Sequence, residues 1–121
     1  MKNALILLAG GEGQRFDKSV PKQFFKVGNC NFIEYFLRNL DPNIFSIICI
    51  VLKKTYKNKY LLNLKKDFPN HKLNFSNAGV NRQESSMNGI LSLNKYKPSK
   101  VLIHDAARPL VSNQLIKKII N

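Results

Sequence analysis

Arg15 closes a stretch in which an apolar run breaks into glycines, Leu7–Phe16 (LLAGGEGQRF), with Gly10, Gly11 and Gly13 ahead of the arginine. Glycines let backbone N–H groups approach an anion closely, and an arginine beside them offers a planar fork for phosphate oxygens. Lys22, seven residues further on in PKQF, adds a compact point charge. The set suits a phosphate-bearing guest. It is not a dinucleotide fingerprint, because Phe16 stands where a third glycine is needed. Nor is it a Walker loop, since no Gly-Lys-Ser/Thr ends it. The plain alternative is a strand-to-loop turn carrying two solvated cations.

Two further stretches carry candidates. Asn77–Ile90 (NAGVNRQESSMNGI) is a second turn with a glycine, Gly79, leading Arg82 and Ser85 into a helix. Serine at such a position is ordinarily a helix cap. Leu102–Leu110 (LIHDAARPL) ends a strand in His104 and Asp105 beside small alanines. A carboxylate there suits a hard cation such as Mg2+, which takes oxygen ligands and keeps several waters. A lone Asp also caps turns. His104 reads as a packed or hydrogen-bonded neighbour rather than a metal ligand.

The elements that must position these residues follow from periodicity. Ala4–Leu8, Ile47–Leu52 and Val101–Ile103 are short continuous apolar runs, the pattern of strands buried on both faces. A weaker strand is expected near Lys72–Phe75. Helical spacing links Phe32, Ile33, Phe36, Leu37 and Leu40, then Tyr60, Leu61 and Leu64, and helices are expected over Gln83–Leu93 and Asn113–Ile120. The order βαβαβαβα predicts an α/β fold, a Rossmann-like three-layer αβα arrangement with a mainly parallel sheet. In such sheets ligands sit beyond the carboxyl ends of the strands. Three loops would therefore share one crevice: Ala9–Pro21, Asn77–Ser85 and His104–Pro109.

Composition narrows the class without naming it. The 121 residues are 44% hydrophobic and 22% charged, as in a single ordinary domain with a real core. Twenty Lys+Arg against seven Asp+Glu give +13, which attracts polyanions. Sixteen of those cations are lysines, so a compositional bias is an alternative source of the charge. The six lysines of Lys53–Lys66 read as a solvated helix face. Cys30 and Cys49 form no CxxC and imply neither zinc nor a disulfide framework, which fits a reducing compartment. No apolar run approaches the roughly 20 residues that span a bilayer, and the N-terminal run is too short for a signal peptide. A cytoplasmic protein is expected. A nucleic-acid module would explain the charge, but the aromatics fall on apolar helical faces and no recognition motif for DNA or RNA appears.

Taken together, LAGGEGQRF, PKQF, GVNRQESSMNGI and HDAARP resemble, in order and spacing, the cytidylyltransferases of the non-mevalonate isoprenoid pathway. Those enzymes join CTP to methylerythritol phosphate. The glycine loop recurs across sugar-phosphate nucleotidyltransferases, and PKQF with HDAARP is the more specific pair. The resemblance covers essentially all 121 residues but only about the first half of a family member. Residues 1–121 thus read as the N-terminal nucleotide-binding part of such a domain, with a fold of the nucleotide-diphospho-sugar transferase type.

The resemblance implies roles. Ala9, Gly10, Gly11 and Gly13 would line the nucleotide, with Arg15 and Lys22 as catalytic cations on the CTP phosphates. Gly79 and Ser85 would contact the cytosine, and Arg82 belongs to the same motif. Asp105 would hold Mg2+, while Ala106 and Arg108 would border the methylerythritol phosphate. A homodimer is implied, in the cytoplasm or, in a plastid-bearing organism, the stroma. This chain departs from the family at Val80, where an acidic residue is common, and at Ser86, where valine is usual. Three alternatives stand beside this reading: transfer to another polyol phosphate such as ribitol 5-phosphate, an inactive nucleotide-binding fragment, and fusion to a downstream pathway enzyme.

Overall fold

A computed structural model describes residues 2–9, 26–27, 30–106 and 112–120. Its main sheet has four strands in the order β5-β4-β1-β6, all parallel. These are β1 (Asn3–Leu8), β4 (Ile47–Leu52), β5 (Leu73–Asn77) and β6 (Lys100–Asp105). Between β1 and β4 lie two short strands, β2 (Lys26–Val27) and β3 (Cys30–Asn31), paired antiparallel, and then helix α1 (Phe32–Asn39). Helices α2 (Lys54–Asp67), α3 (Arg82–Leu93) and α4 (Asn113–Ile120) complete the order.

Alternation along the central strands divides the core in two. Leu5, Leu7, Ile48, Ile50 and Leu52 point to one face, where Ile33, Phe36 and Leu37 of α1, Leu64 of α2 and Ile116 and Ile120 of α4 cover them. Ala4, Ile6, Ile47, Cys49 and Val51 point to the other, under Leu93 of α3. Both faces of β1 and β4 are closed, which is why these strands read as unbroken apolar runs. Helices cover both faces of the sheet, as the alternating order predicts. Among the described residues no helix is long and apolar enough to cross a membrane.

Three features depart from the sequence reading. The pair β2–β3 was not expected, although Gly28-Asn29 between its strands is a hairpin signal. Secondly, β6 extends through His104 and Asp105, because its ladder with β1 continues to the pairs Leu7 with His104 and Leu8 with Asp105. Those two residues end the strand, as expected of LIHDAARPL, and it is the loop range His104–Pro109 that is shortened to start after Asp105. Thirdly, β6 is not buried on both faces: on the α3 side Val101 and Ile103 are 40% and 37% exposed. Among the described residues it stands at the end of the sheet order, and α3 lies over β5, β4 and β1.

Candidate nucleotide site at the carboxyl ends of the strands

The carboxyl ends of the strands are stitched together by backbone hydrogen bonds. The Ala9 N–H donates to the Val51 carbonyl at 2.9 Å, the Ala78 N–H to Leu52 at 2.8 Å and the Ala106 N–H to Leu8 at 2.9 Å. Each bond carries the ladder one residue past its strand. Ala9 and Ala106 are fully buried as a result, and the turns that follow start from fixed points.

The turn from β5 into α3 is fastened by side chains. Asn81 caps the helix, its Oδ1 accepting from the Glu84 N–H at 2.8 Å. Ser85, one turn further along, is not the cap. Its hydroxyl is buried and accepts the Gly79 N–H at 2.9 Å, pinning the turn from inside the helix. Asn88 adds a bond from its Nδ2 to the Asn77 carbonyl at 2.9 Å. Gly79 owes its identity to close approach: a Cβ there would stand 2.4 Å from Cγ of Glu84 and 2.5 Å from its Cβ. Neither atom is the free end of a side chain, so any larger residue would push Glu84 aside. Val80, between Gly79 and the cap, is an apolar residue held 87% exposed on the rim.

Strand alternation sends the two polar residues at the end of β6 in opposite directions. His104 faces α1, where its ring stacks on Phe36 with centroids 5.2 Å apart and planes at 27°. Asp105 faces α3, and its Oδ2 lies 3.9 Å from Nη1 of Arg82. These side chains are 41% and 63% exposed respectively, so solvent screens the pair and its contribution to stability is small. Its meaning is geometric: the arginine of the glycine turn and the carboxylate of the strand end share one space. Among the described residues no group of three or more His, Cys, Asp or Glu could cage a metal ion. A single half-exposed carboxylate suits a cation that shares a few protein oxygens with phosphates and water, which is the habit of Mg2+.

Of the residues singled out from sequence, Ala9, Gly79, Arg82, Ser85, Asp105 and Ala106 thus gather at one end of the sheet. Gly10, Gly11, Gly13, Arg15, Lys22 and Arg108 lie outside the described residues. Sequence reading did not single out Asn81 or Asn88. The spacing Asn81-x-x-Glu84 before a helical run is a capping signature that could have revealed the first. Asn88 carries no local signal, because its partner Asn77 is reached only through the fold.

A parallel αβα sheet whose glycine turn, capped helix and strand-end carboxylate meet at the carboxyl ends of its strands has the arrangement in which open α/β sheets bind their ligands. Residues 3–121 match the family of 2-C-methyl-D-erythritol 4-phosphate cytidylyltransferase, and the chain belongs to that family. A relative of that name from Thermotoga neapolitana is 34% identical over 119 residues, covering 98% of this chain and 52% of the relative. The solved structure of the bifunctional IspDF from Campylobacter jejuni is 30% identical, with a TM-score of 0.70, over 99% of this chain and 30% of that one. The structure of 4-diphosphocytidyl-2C-methyl-D-erythritolsynthase from Anaerococcus prevotii shares the fold with a TM-score of 0.79 at 22% identity, covering 99% and 50%. The chain spans about half the length of the curated relatives it matches.

Proposed function

We propose that this chain is the nucleotide-binding part of an enzyme that transfers CMP from CTP to methylerythritol phosphate, giving CDP-methylerythritol and pyrophosphate. The observation that carries the reading is convergence: Ala9, Gly79, Ser85 and Asp105, far apart in sequence, meet at one end of a parallel sheet in a chain of this family. The reaction is an in-line attack by a phosphate oxygen of the acceptor on the α-phosphorus of CTP. A new P–O bond forms, and the bond to the β-phosphate's bridging oxygen breaks.

Both reactants are anions, so catalysis is mostly positioning and neutralisation of charge. In this reading Ala9, its own N–H held by Val51, lines the nucleotide, and Gly10, Gly11 and Gly13 after it bring backbone N–H groups to the triphosphate. Arg15 and Lys22 hold the phosphates and the charge that develops at the α-phosphorus. The turn pinned by Ser85 receives the cytosine, and Ala106 and Arg108 border the acceptor. Asp105 would hold Mg2+ jointly with the phosphates, and the ion would supply further charge neutralisation. Homodimerisation and a cytoplasmic location belong to the same reading and rest on the family alone.

The test is turnover by the full-length protein with CTP and each of two acceptors, methylerythritol phosphate and ribitol 5-phosphate. Preference for the first supports the reading; preference for the second moves the protein to another polyol phosphate. Removing one preorganised contact costs on the order of 10²–10³ in rate. Lys22→Ala is expected to lose that much, and a loss under about tenfold would return Lys22 to the surface lysines.

A further inference from the structure

At the opposite end of the sheet the strands begin around a second recess, with a volume of about 400 Å³. It is lined by Lys2 ahead of β1, Ser46 ahead of β4, Lys72 ahead of β5, and Lys95, Tyr96 and Lys97 in the turn after α3. None of its lining residues is acidic. Four ammonium-bearing side chains around one cavity repel one another, and a bound anion would relieve that repulsion.

The recess is built on fixed backbone. The Lys72 carbonyl accepts from the Ile48 N–H at 2.9 Å, and the Lys2 carbonyl from the Ser99 N–H at 2.7 Å. Ser46 is tied to the Asn3 carbonyl by its N–H at 2.8 Å and its hydroxyl at 3.1 Å. Tyr96 is flanked by two cations, Nζ of Lys72 at 4.9 Å from its ring centroid and Nζ of Lys95 at 5.2 Å. Those ammonium groups therefore lie within about 10 Å of each other, close enough that 0.1 M salt screens them only in part. Lys97 sits at φ 47° and ψ 57°, the left-handed region, where a helix ordinarily ends in glycine. Lys97 therefore holds a backbone unfavourable for a residue with a Cβ while lining the recess.

We propose that this recess at the amino ends of the strands is a second anion site, taking a small ligand with two or more phosphate groups. Lysines act as point charges toward phosphate, and four of them around one half-open recess suit a compact polyanion. The site is separate from the crevice assigned to CTP, since the two lie at opposite ends of the same strands.

The probe is inorganic pyrophosphate, titrated calorimetrically into the full-length protein carrying Arg15→Ala and Lys22→Ala, so that the crevice loop contributes least. Amide NMR shifts at Ser46, Lys72 and Lys95–Lys97 locate the binding. One pyrophosphate per chain is expected, with shifts confined to those residues. Adding Lys72→Gln and Lys95→Gln should weaken it about tenfold or more. The control pair Lys65→Gln and Lys66→Gln on α2 removes the same charge elsewhere and should leave affinity within about twofold; circular dichroism checks that all variants fold. Equal losses in the two pairs, absence of saturable binding, or shifts at Gly79 and Asp105 instead would overturn the proposal. So would tighter binding of a random single-stranded oligonucleotide to the same residues with a steep salt dependence, which would make the recess part of a nucleic-acid surface.

Discussion

Ser85→Ala takes from the Gly79 N–H the acceptor that holds it at 2.9 Å, while leaving the helix and its Asn81 cap in place. Ser85 is only 7% exposed, so water reaches the vacated position poorly. An amide left without a partner in such a place costs about 1–3 kcal/mol. Alanine returns about 0.5 kcal/mol through its better helix propensity. The net expectation is a loss of about 0.5–2.5 kcal/mol, which for a domain of this size lowers Tm by roughly 2–12 °C. Ser86→Ala is the internal control: it sits next along the same helix, gains the same propensity, and makes no bond to Gly79. Urea denaturation of both variants, read as midpoints at unchanged slope, isolates the bond. If they differ by less than about 0.5 kcal/mol, the idea that Ser85 pins the turn is refuted. CTP titration adds a second reading, because a turn that no longer holds its shape should bind the base more weakly. Lost stability with unchanged CTP affinity would detach the turn from the proposed nucleotide site.

Gly89 lets α3 approach the sheet, and a Cβ there would lie 2.9 Å from Cγ2 of Ile6 and 3.2 Å from Cγ2 of Val51. Overpacking of this kind costs about 1–3 kcal/mol and outweighs alanine's helix gain of about 1. Gly89→Ala should thus destabilise in urea where an exposed helical glycine would stabilise, and Gly89→Val should do so by more than about 2 kcal/mol. Asn113 fastens the start of α4, accepting from the Asp41 N–H at 3.0 Å and donating to the Asn39 carbonyl at 2.9 Å. Asn113→Ala should cost about 1–2 kcal/mol and speed amide exchange in α4 ahead of the central strands, while uniform exchange would show that other contacts hold the helix. Val80→Asp places a carboxylate on the rim of the turn assigned to cytosine, an acceptor for that base's amino group. Competitive binding should then favour CTP over UTP by about threefold to tenfold more than before, and an unchanged ratio would place the base elsewhere.

What the sequence by itself determined was the local chemistry. Unbroken apolar runs at Ala4–Leu8 and Ile47–Leu52 mark strands that helices cover on both faces, since no polar residue could be spared on either side. Helical spacing at Ile33, Phe36 and Leu37 marks the face that α1 buries. Gly79 was legible as a glycine with a reason, although the reason, the Glu84 side chain lying across it, was not. Ser85 resembled a cap because capping is the commonest task of a serine at a helix start, but Asn81 holds that place and frees Ser85 to bond backward to the turn. Only the tertiary structure decided such partners. Register across β1 and β6 set whether His104 or Asp105 would face Arg82, and a slip of one residue would have exchanged them. The reach of α3, which lies over β5, β4 and β1, left Val101 and Ile103 half-open despite an apolar run like those of β1 and β4. The lysines of the second recess were lost among the other cations until parallel pairing brought the strands' amino ends together. Periodicity and turn chemistry act over a few residues and are written in the chain, whereas register, sheet order and the meeting of distant side chains depend on contacts that only folding makes.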